Sequence, residues 1–92
     1  PIITELLTKE ALLGVLPNPV RSVTHIGVAL AEEQQVSLRV TDLNGRLLHQ
    51  ATPQLAEGEN WLRLDAQDWP SGVYLFTINT ASGPLTGKLL KQ

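Results

Sequence analysis

Two histidines, His25 and His49, are the side chains of this sequence best suited to general acid–base chemistry. A general base must lie within hydrogen-bond reach of its nucleophile. The chain has no Cys, and no serine in a nucleophile-elbow pattern stands near either histidine. Both histidines also fall on the predicted outer faces of strands. The sequence therefore predicts a protein that is not an enzyme.

Four acidic residues between positions 57 and 68 raise the question of a metal site, because carboxylate oxygens are ligands that Ca²⁺ prefers. These residues are Glu57, Glu59, Asp65 and Asp68. They lack the dense, alternating spacing of a calcium-binding loop, so solvated turns are the better interpretation. The sequence also has no glycine-rich loop of the kind that cradles phosphate. We therefore expect no metal, no cofactor and no small-molecule substrate.

The charge balance argues against a nucleic-acid partner. Seven Lys and Arg stand against nine Asp and Glu, for a net charge of −2, and no basic stripe is available to release phosphate counterions. No apolar run approaches the roughly 20 residues that a membrane helix needs. Because the sequence begins with Pro1 and shows no signal peptide, we expect it to be part of a longer protein.

Alternating apolar and polar residues predict the strands that position these side chains. The segments VTHIGVAL (23–30) and VSLRV (36–40) each place their apolar residues on one face, as half-buried antiparallel strands do. WLRLD points two leucines inward, and VYLFTINT is apolar on both faces, which indicates a central strand. Short strands between regular turns predict an all-β fold, an antiparallel β-sandwich of about seven strands. The predicted inward residues are Thr24, Ile26, Val28, Leu30, Val36, Leu38, Val40, Leu62, Leu64, Tyr74, Phe76 and Ile78.

The beginning of the chain is expected to differ from the rest. We predict a linker or N-terminal extension over residues 1–11 and one folded domain over residues 12–92. In an alternative, Thr4 caps a short helix that runs through Leu13, although about ten residues of isolated helix are marginal in water. LPNP at 16–19 then predicts a stiff, turned entry into the domain, because each Pro fixes φ and favours extended geometry before it.

The segment DLNG (42–45) predicts a hairpin turn whose type can be argued. A two-residue Asn44-Gly45 turn would pair Val40 with His49 and place His49 on the core face. A type I turn starting at Asp42, followed by Gly45 in the left-handed region, would pair Val40 with Leu48. Asp is favoured at the first position of a type I turn and Gly at the fourth, so we predict the second arrangement, with His49 in solvent.

Several short motifs together resemble a known family. WPSGVY resembles a tyrosine corner, in which the hydroxyl of a Tyr early in a late strand bonds to the backbone just upstream. LPNPV, DLNGR, the GEN turn, WPSGVYLFTI and a terminal KLLKQ follow one another in an order that resembles the C-terminal sorting domain of type IX (Por) secretion system cargo. Trp69 departs from the family pattern, which more often has a smaller aliphatic residue there. The matching positions, whose role we expect to be mainly structural, are Pro17, Asn18, Pro19, Asp42, Gly45, Arg46, Pro70, Gly72 and Tyr74.

The resemblance implies a function in protein secretion. Such a domain is an immunoglobulin-like antiparallel β-sandwich at the C-terminus of a larger cargo protein of a Gram-negative bacterium. It directs that cargo from the periplasm across the outer membrane, to the cell surface or the medium. The implied partners are the type IX translocon, its shuttle components and a sortase-type surface peptidase. That peptidase usually removes the domain and attaches the cargo to anionic lipopolysaccharide.

The last segment, GKLLKQ, has a structural and a functional interpretation. In the first, Leu89 or Leu90 closes the core while both lysines protect an exposed strand edge. In the second, which the resemblance favours, a translocon component extends the terminal edge strand by strand addition. The residues expected to be recognised are Gly87, Lys88, Leu89, Leu90, Lys91 and Gln92. Exposed strand edges are also suited to pairing between two copies of the chain, which would form a homodimer.

The main alternative is a passive immunoglobulin-like spacer, or a carbohydrate-binding or adhesion module of a surface enzyme. In the carbohydrate-binding version, an outward Trp61 beside Arg63 would stack on a sugar ring. One exposed Trp is a poor platform when aromatic residues make up only 4% of the chain. Such a Trp more often covers neighbouring apolar surface or lies in a protein interface.

Overall fold

The computed structural model describes residues 10–92, and these residues form nine β-strands. The short strands β3 and β6 have two residues each, and the other seven have five to nine. The sequence prediction of about seven strands therefore corresponds to the seven longer ones. Their bounds are β1 Ala11–Leu16, β2 Val23–Leu30, β3 Gln34–Gln35, β4 Ser37–Thr41, β5 Leu47–Ala51, β6 Gln54–Leu55, β7 Gly58–Asp65, β8 Gly72–Thr80 and β9 Gly83–Lys91.

Two antiparallel sheets make up the sandwich. One has three strands in the order β1-β2-β7, and the other has four in the order β5-β4-β8-β9, while β3 and β6 pair separately. Each longer strand turns one face to the opposite sheet, which is why alternation in the sequence predicted strands at the positions of β2, β4 and β7. The predicted immunoglobulin-like, all-β antiparallel fold is confirmed.

The inner faces carry the residues that alternation selected. In β2, Ile26, Val28 and Leu30 are buried, and the hydroxyl of buried Thr24 donates a 2.7 Å hydrogen bond to the carbonyl of Pro17. A buried hydroxyl without a partner would be costly, so this bond explains how Thr24 can share the core face. The buried apolar residues are Val20, Ile26, Val28, Leu30, Val36, Leu38, Val40, Leu55, Leu64, Ala66, Tyr74, Phe76, Ile78 and Leu89.

Strand β8 lies in the middle of the four-stranded sheet, as its two apolar faces predicted. It pairs with β4 on one side and with β9 on the other. Its inner face contributes Tyr74, Phe76 and Ile78 to the core. Its outer face leaves Val73 and Leu75 in solvent, although both are apolar.

The DLNG turn adopts the predicted type. The amide of Gly45 donates to the carbonyl of Asp42 at 3.1 Å, and Gly45 has φ +83°, a left-handed conformation that glycine adopts without steric cost. A carboxylate oxygen of Asp42 accepts bonds from the amides of Asn44 and Arg46, each at 2.9 Å. The side chain of Asp42 therefore holds the turn together from within.

The pairing beyond this turn differs from the prediction. Thr41 pairs with Leu47 as expected, but the register then shifts by one residue and Val40 pairs with His49 instead of Leu48. This second bulge leaves Leu48 packed against the core and His49 half-buried, so the expectation that His49 lies in solvent was wrong. Bulges of this kind are set by how the strand packs against its neighbours, which the turn residues do not specify.

The helix alternative for the beginning of the chain is wrong where the structure tests it. Residues Ala11–Leu16 form β1 and pair with β2. The remainder of the alternative, and most of the predicted linker, lie outside the described residues. The described residues contain no helix that is long and apolar enough to cross a membrane.

Candidate recognition surface

The last strand, β9, lies at the edge of the four-stranded sheet, and its side chains alternate between core and solvent. Leu89 and Lys91 are buried, whereas Lys88, Leu90 and the following Gln92 are exposed. Leu89, not Leu90, therefore closes the core. Within the segment expected to be recognised, only every second side chain is accessible in the folded domain.

Lys91 is the unexpected member of this segment. Its side chain is only 7% exposed, and its ammonium donates to the carbonyl oxygen of Trp69 at 3.1 Å and to that of Gln92 at 3.2 Å. The expectation that both lysines protect an exposed edge was wrong for Lys91. A buried ammonium needs such acceptors, because removing it from water without them is costly. Lys91 thus connects β9 to the loop that precedes β8.

The outer edge of β9 is partly covered by the LPNPV segment. The amide of Val20 donates to the carbonyl of Leu90 at 2.7 Å, and the amide of Gln92 donates to the carbonyl of Val20 at 2.8 Å. The amide of Leu90 also donates to the side-chain oxygen of Asn18 at 3.0 Å. Val20 and Lys91 form an isolated parallel bridge. The segment predicted to be a stiff entry therefore also holds the end of β9. We call its two contacting residues, Asn18 and Val20, the clamp.

Gly87 faces the core at a position with no room for a side chain. A Cβ atom built there would lie 2.5 Å from Cζ of Phe76 and 3.1 Å from a methyl carbon of Leu12. Real Cβ atoms do not approach a ring carbon that closely, and the buried Phe76 ring has little space to move. The glycine of GKLLKQ is therefore required by packing.

The predicted tyrosine corner is present at the start of β8. Tyr74 is buried, and its hydroxyl donates a hydrogen bond to the carbonyl of Pro70. The ring of Trp69 is tilted by 45° against that of Tyr74, with centroids 5.0 Å apart. Trp69 is partly buried against the core, so the large residue at this position fills space under the corner.

Four of the five segments that carry the family resemblance meet at one end of the four-stranded sheet. The GEN turn does not, because Gly58 pairs with Leu30 at the far end of β2. The DLNGR turn follows Thr41, which pairs with Leu75 of β8. Gly72 of the corner pairs with Lys91, and Asn18 contacts Leu90. Residues far apart in the sequence are thus adjacent in space, as a composite surface requires.

An exposed apolar patch lies on the outer face at this end, and sequence motifs did not single it out. Val73 and Leu90 pair across β8 and β9 and are 36% and 42% exposed, and Leu75, two residues along β8, is 43% exposed. Leu47 of β5 is exposed on the same face beyond Thr41. The sequence feature that indicates this patch is that β8 is apolar on both faces. We call Val73, Leu75 and Leu90, with Lys88 at their margin, the β8–β9 patch.

Two shallow hollows flank Lys88 within this surface. One, of about 370 Å³, is lined by Leu75, Phe76, Thr77, Thr86, Gly87 and Lys88. The other, of about 270 Å³, is lined by Asn18, Val73, Lys88, Leu89 and Leu90. The side chain of Lys88 therefore stands between two depressions with mainly apolar walls.

The opposite sheet carries Trp61 in a different setting. Its ring lies against the backbone of Gly27, where an added Cβ would be 2.6 Å from two ring carbons. The indole N–H donates to a carboxylate oxygen of Glu59 at 2.7 Å. His25 is exposed and pairs with Arg63 on this sheet. One face of the Trp61 ring therefore covers the backbone of Gly27.

Glu10 anchors the beginning of the described chain at the other end of the sandwich. Its carboxylate accepts 2.8 Å hydrogen bonds from the side chains of Gln34 and Thr80. Hydrogen bonding to Ser82 first, and then to Gln34, lowers the pKa of Glu10 from its ordinary value of 4.5, while partial desolvation opposes this. The sequence did not indicate a role for Glu10. Over residues 10–92, no group of three or more His, Cys, Asp and Glu side chains is arranged to hold a metal ion.

A family comparison bears directly on this surface. The family model of the secretion system C-terminal sorting domain matches residues 14–92, which is nearly the whole described chain. The chain belongs to this family. The type IX sorting domain predicted from the motifs is thereby confirmed at the level of the family, and the family is non-catalytic, in agreement with the absence of a predicted active site.

A solved structure is similar to the sorting domain in fold. It is the crystal structure of dimeric latent PorU from Porphyromonas gingivalis, with a TM-score of 0.69 and 17% sequence identity. The similarity covers 90% of this chain and 9% of the other, so the sorting domain corresponds to a small part of that protein. Among curated proteins, none matches the sorting domain.

Proposed function

We propose that this sorting domain is a C-terminal signal that carries an attached cargo protein across the outer membrane of a Gram-negative bacterium through the type IX secretion system. The observation that carries the proposal is the family match over residues 14–92. The meeting of the DLNGR, corner, LPNPV and KLLKQ segments at one end of the sandwich supports it, because a receptor can contact them together. The cargo would pass through the periplasm and end at the cell surface or in the medium.

We propose that the translocon binds the end of β9 on the outer surface of the folded domain. The accessible side chains there are Lys88, Leu90 and Gln92, and we assign the contacts to them. Gly87, Leu89 and Lys91 act indirectly, because they face the core and hold the strand in place. All six residues of the segment therefore contribute, but in two different ways.

Strand addition at this edge is restricted by the clamp. Val20 and Asn18 already occupy the outward backbone groups of Leu90. Because the direction of peptide groups alternates along a strand, those of Lys88 and Thr86 point to the same side. Within residues 10–92 these groups form no hydrogen bond, so strand addition in our proposal takes place at residues 86–88.

The later steps of the pathway are proposed from the family. A sortase-type surface peptidase would cut the chain ahead of the folded domain and attach the cargo to lipopolysaccharide. A peptidase binds its cut site as an extended segment, and a linker between the cargo and the domain would allow this. The intact mass of the exported cargo reports both whether the cut occurs and where.

The test is export of a reporter fused to the N-terminus of residues 1–92. We expect the reporter at the surface of a type IX-competent cell and in the periplasm of the same strain without the translocon. Surface location in both strains, or periplasmic location in both, would overturn the proposal. Circular dichroism of the purified fusion verifies that the β-sandwich is folded.

A second comparison addresses the end of β9. A short Gly-Ser extension after Gln92 is compared with the same extension inserted in the exposed loop at 56–57. We expect the terminal extension to reduce export and the loop insertion to leave it unchanged, with both proteins folded. Equal export of the two proteins would remove the chain end from the recognised surface. Deleting residues 88–92 is less informative, because it also removes Leu89 from the core.

A further inference from the structure

The outer face of the four-stranded sheet has an uneven distribution of charge. Among residues 10–92, its outward positions carry two cations, Arg39 and Lys88, and no carboxylate. The acidic side chain of the adjoining turn, Asp42, accepts hydrogen bonds from the backbone of that turn. The outward positions are Ser37, Arg39, Thr41, Leu47, Gln50, Val73, Leu75, Thr77, Asn79, Pro84, Thr86, Lys88 and Leu90.

The apolar and basic groups of this face are adjacent. Leu75 pairs with Lys88, and Val73 pairs with Leu90 in the next row toward the clamp. Cross-strand neighbours on one face lie within about 5.5 Å of each other at Cβ, so these four side chains form one continuous surface. Exposed apolar groups of this kind on a folded domain mark sites of interaction.

We propose that the β8–β9 patch is a docking face for a protein partner that presents an apolar surface bordered by carboxylates. The apolar side chains of the partner would lie on Val73, Leu75 and Leu90, and a carboxylate would pair with the ammonium of Lys88 between the two hollows. This inference rests on the proposed function, because the partner is the export component that receives the sorting domain.

The charges on this face disfavour two other occupants. Binding to an anionic membrane takes clusters of about four to eight basic residues. The described part of this face has two, and the adjoining turn adds one more, Arg46. A second copy of this chain docked through the same face by two-fold symmetry would bring like charges together without an acidic counterpart. A protein surface that carries both carboxylates and apolar side chains would pair with the cations and cover the leucines.

The experiment uses the reporter fused to residues 1–92 with single substitutions on the patch. Leu75→Thr and Leu90→Thr retain strand propensity while removing apolar surface. The matched control is Leu13→Thr, because Leu13 of β1 is 44% exposed but belongs to the other sheet. We expect each patch variant to lower surface reporter roughly tenfold, as truncation of a central interface contact does, and the control to leave it unchanged. Urea midpoints of the purified variants establish that all remain folded.

The charge of the partner is tested separately at Lys88. Lys88→Glu is expected to lower export at least as much as the leucine variants, and Lys88→Arg to retain it. Normal export of Lys88→Glu would overturn the acidic-partner assignment.

Binding of the purified domain to phosphatidylglycerol vesicles that Leu75→Thr abolishes would assign the face to lipid instead. Concentration-dependent self-association that Leu75→Thr abolishes would assign it to a second copy. Either result overturns the proposal.

The outcomes separate this inference from the function on which it rests. If the unchanged fusion is exported and the patch variants are exported equally well, the sorting function stands and the docking face is wrong. If the unchanged fusion is not exported in the competent strain, the sorting function is wrong and the docking inference is overturned with it. Export that falls only in the patch variants supports both.

Discussion

The side-chain nitrogen of Lys91 lies 3.1 Å from the backbone carbonyl oxygen of Trp69, so a lysine of the last strand is held by the loop in front of β8. Lys88, three residues earlier, is exposed on the opposite face of the same strand. The two lysines of the terminal motif therefore have different roles. One fixes the strand in the domain, and the other faces solvent beside the β8–β9 patch.

Replacing Lys91 is predicted to destabilise the domain, whereas replacing Lys88 is not. Lys91→Ala removes two hydrogen bonds and the packed stem of the side chain, and we expect the free energy of unfolding to fall by about 1–3 kcal/mol. Lys88→Ala should change it by no more than about 0.5 kcal/mol, as surface substitutions do. Urea denaturation followed by Trp fluorescence measures both. Equal effects would mean that the buried ammonium adds nothing to stability.

Adding a single methyl group at Gly87 is predicted to disturb the core. Gly87→Ala would place a Cβ atom 2.5 Å from Cζ of Phe76, and overpacking of this kind costs about 1–3 kcal/mol. The double variant Gly87→Ala/Phe76→Leu should lose less than the sum of the two single losses, because the smaller side chain makes room. Strictly additive losses would contradict the contact. Thr86→Ala, next to it on the exposed face, is the control.

The clamp on β9 is predicted to depend on the side chain of Asn18. Asn18→Ala removes the acceptor of the Leu90 amide, so this amide should exchange with deuterium faster than in the unchanged protein. The amide of Leu89, which faces β8, is the internal control and should remain protected. We expect stability to fall by about 0.5–1.5 kcal/mol. Unchanged exchange at Leu90 would show that the Asn18 contact is not maintained in solution.

Glu10 is predicted to make part of the stability depend on pH. Its pKa is lowered in the folded state, chiefly by hydrogen bonding to Ser82, so its ionised form is favoured by folding. The contribution is therefore complete above the ordinary value of 4.5 and is lost as pH falls through the folded pKa. Urea midpoints between pH 7 and pH 3 should fall more in the unchanged protein than in Glu10→Gln. Parallel curves for the two proteins would contradict the prediction.

Local sequence determined the strands and most of their faces. A period of two places Ile26, Val28 and Leu30 on one side of β2 whatever the rest of the chain does, because side chains of a strand alternate. The turn at Asp42 was equally local, since its own carboxylate and Gly45 produce the conformation. The tyrosine corner belongs to this group as well, because Tyr74 bonds to a residue only four positions away.

Tertiary structure decided which side chains of β9 face the core. The letters KLLK are the same in both directions, so either phase puts one Leu and one Lys inside, and alternation does not choose between them. The choice falls on Leu89 and Lys91, because Gly87 on the same face fits against Phe76 and Trp69 supplies an acceptor for the ammonium. The clamp is beyond local patterns too, since Asn18 and Leu90 are 72 residues apart in the chain. Contacts of that separation depend on the packing of the whole sandwich, and for the same reason the apolar outer face of β8 becomes a surface only when β9 lies beside it.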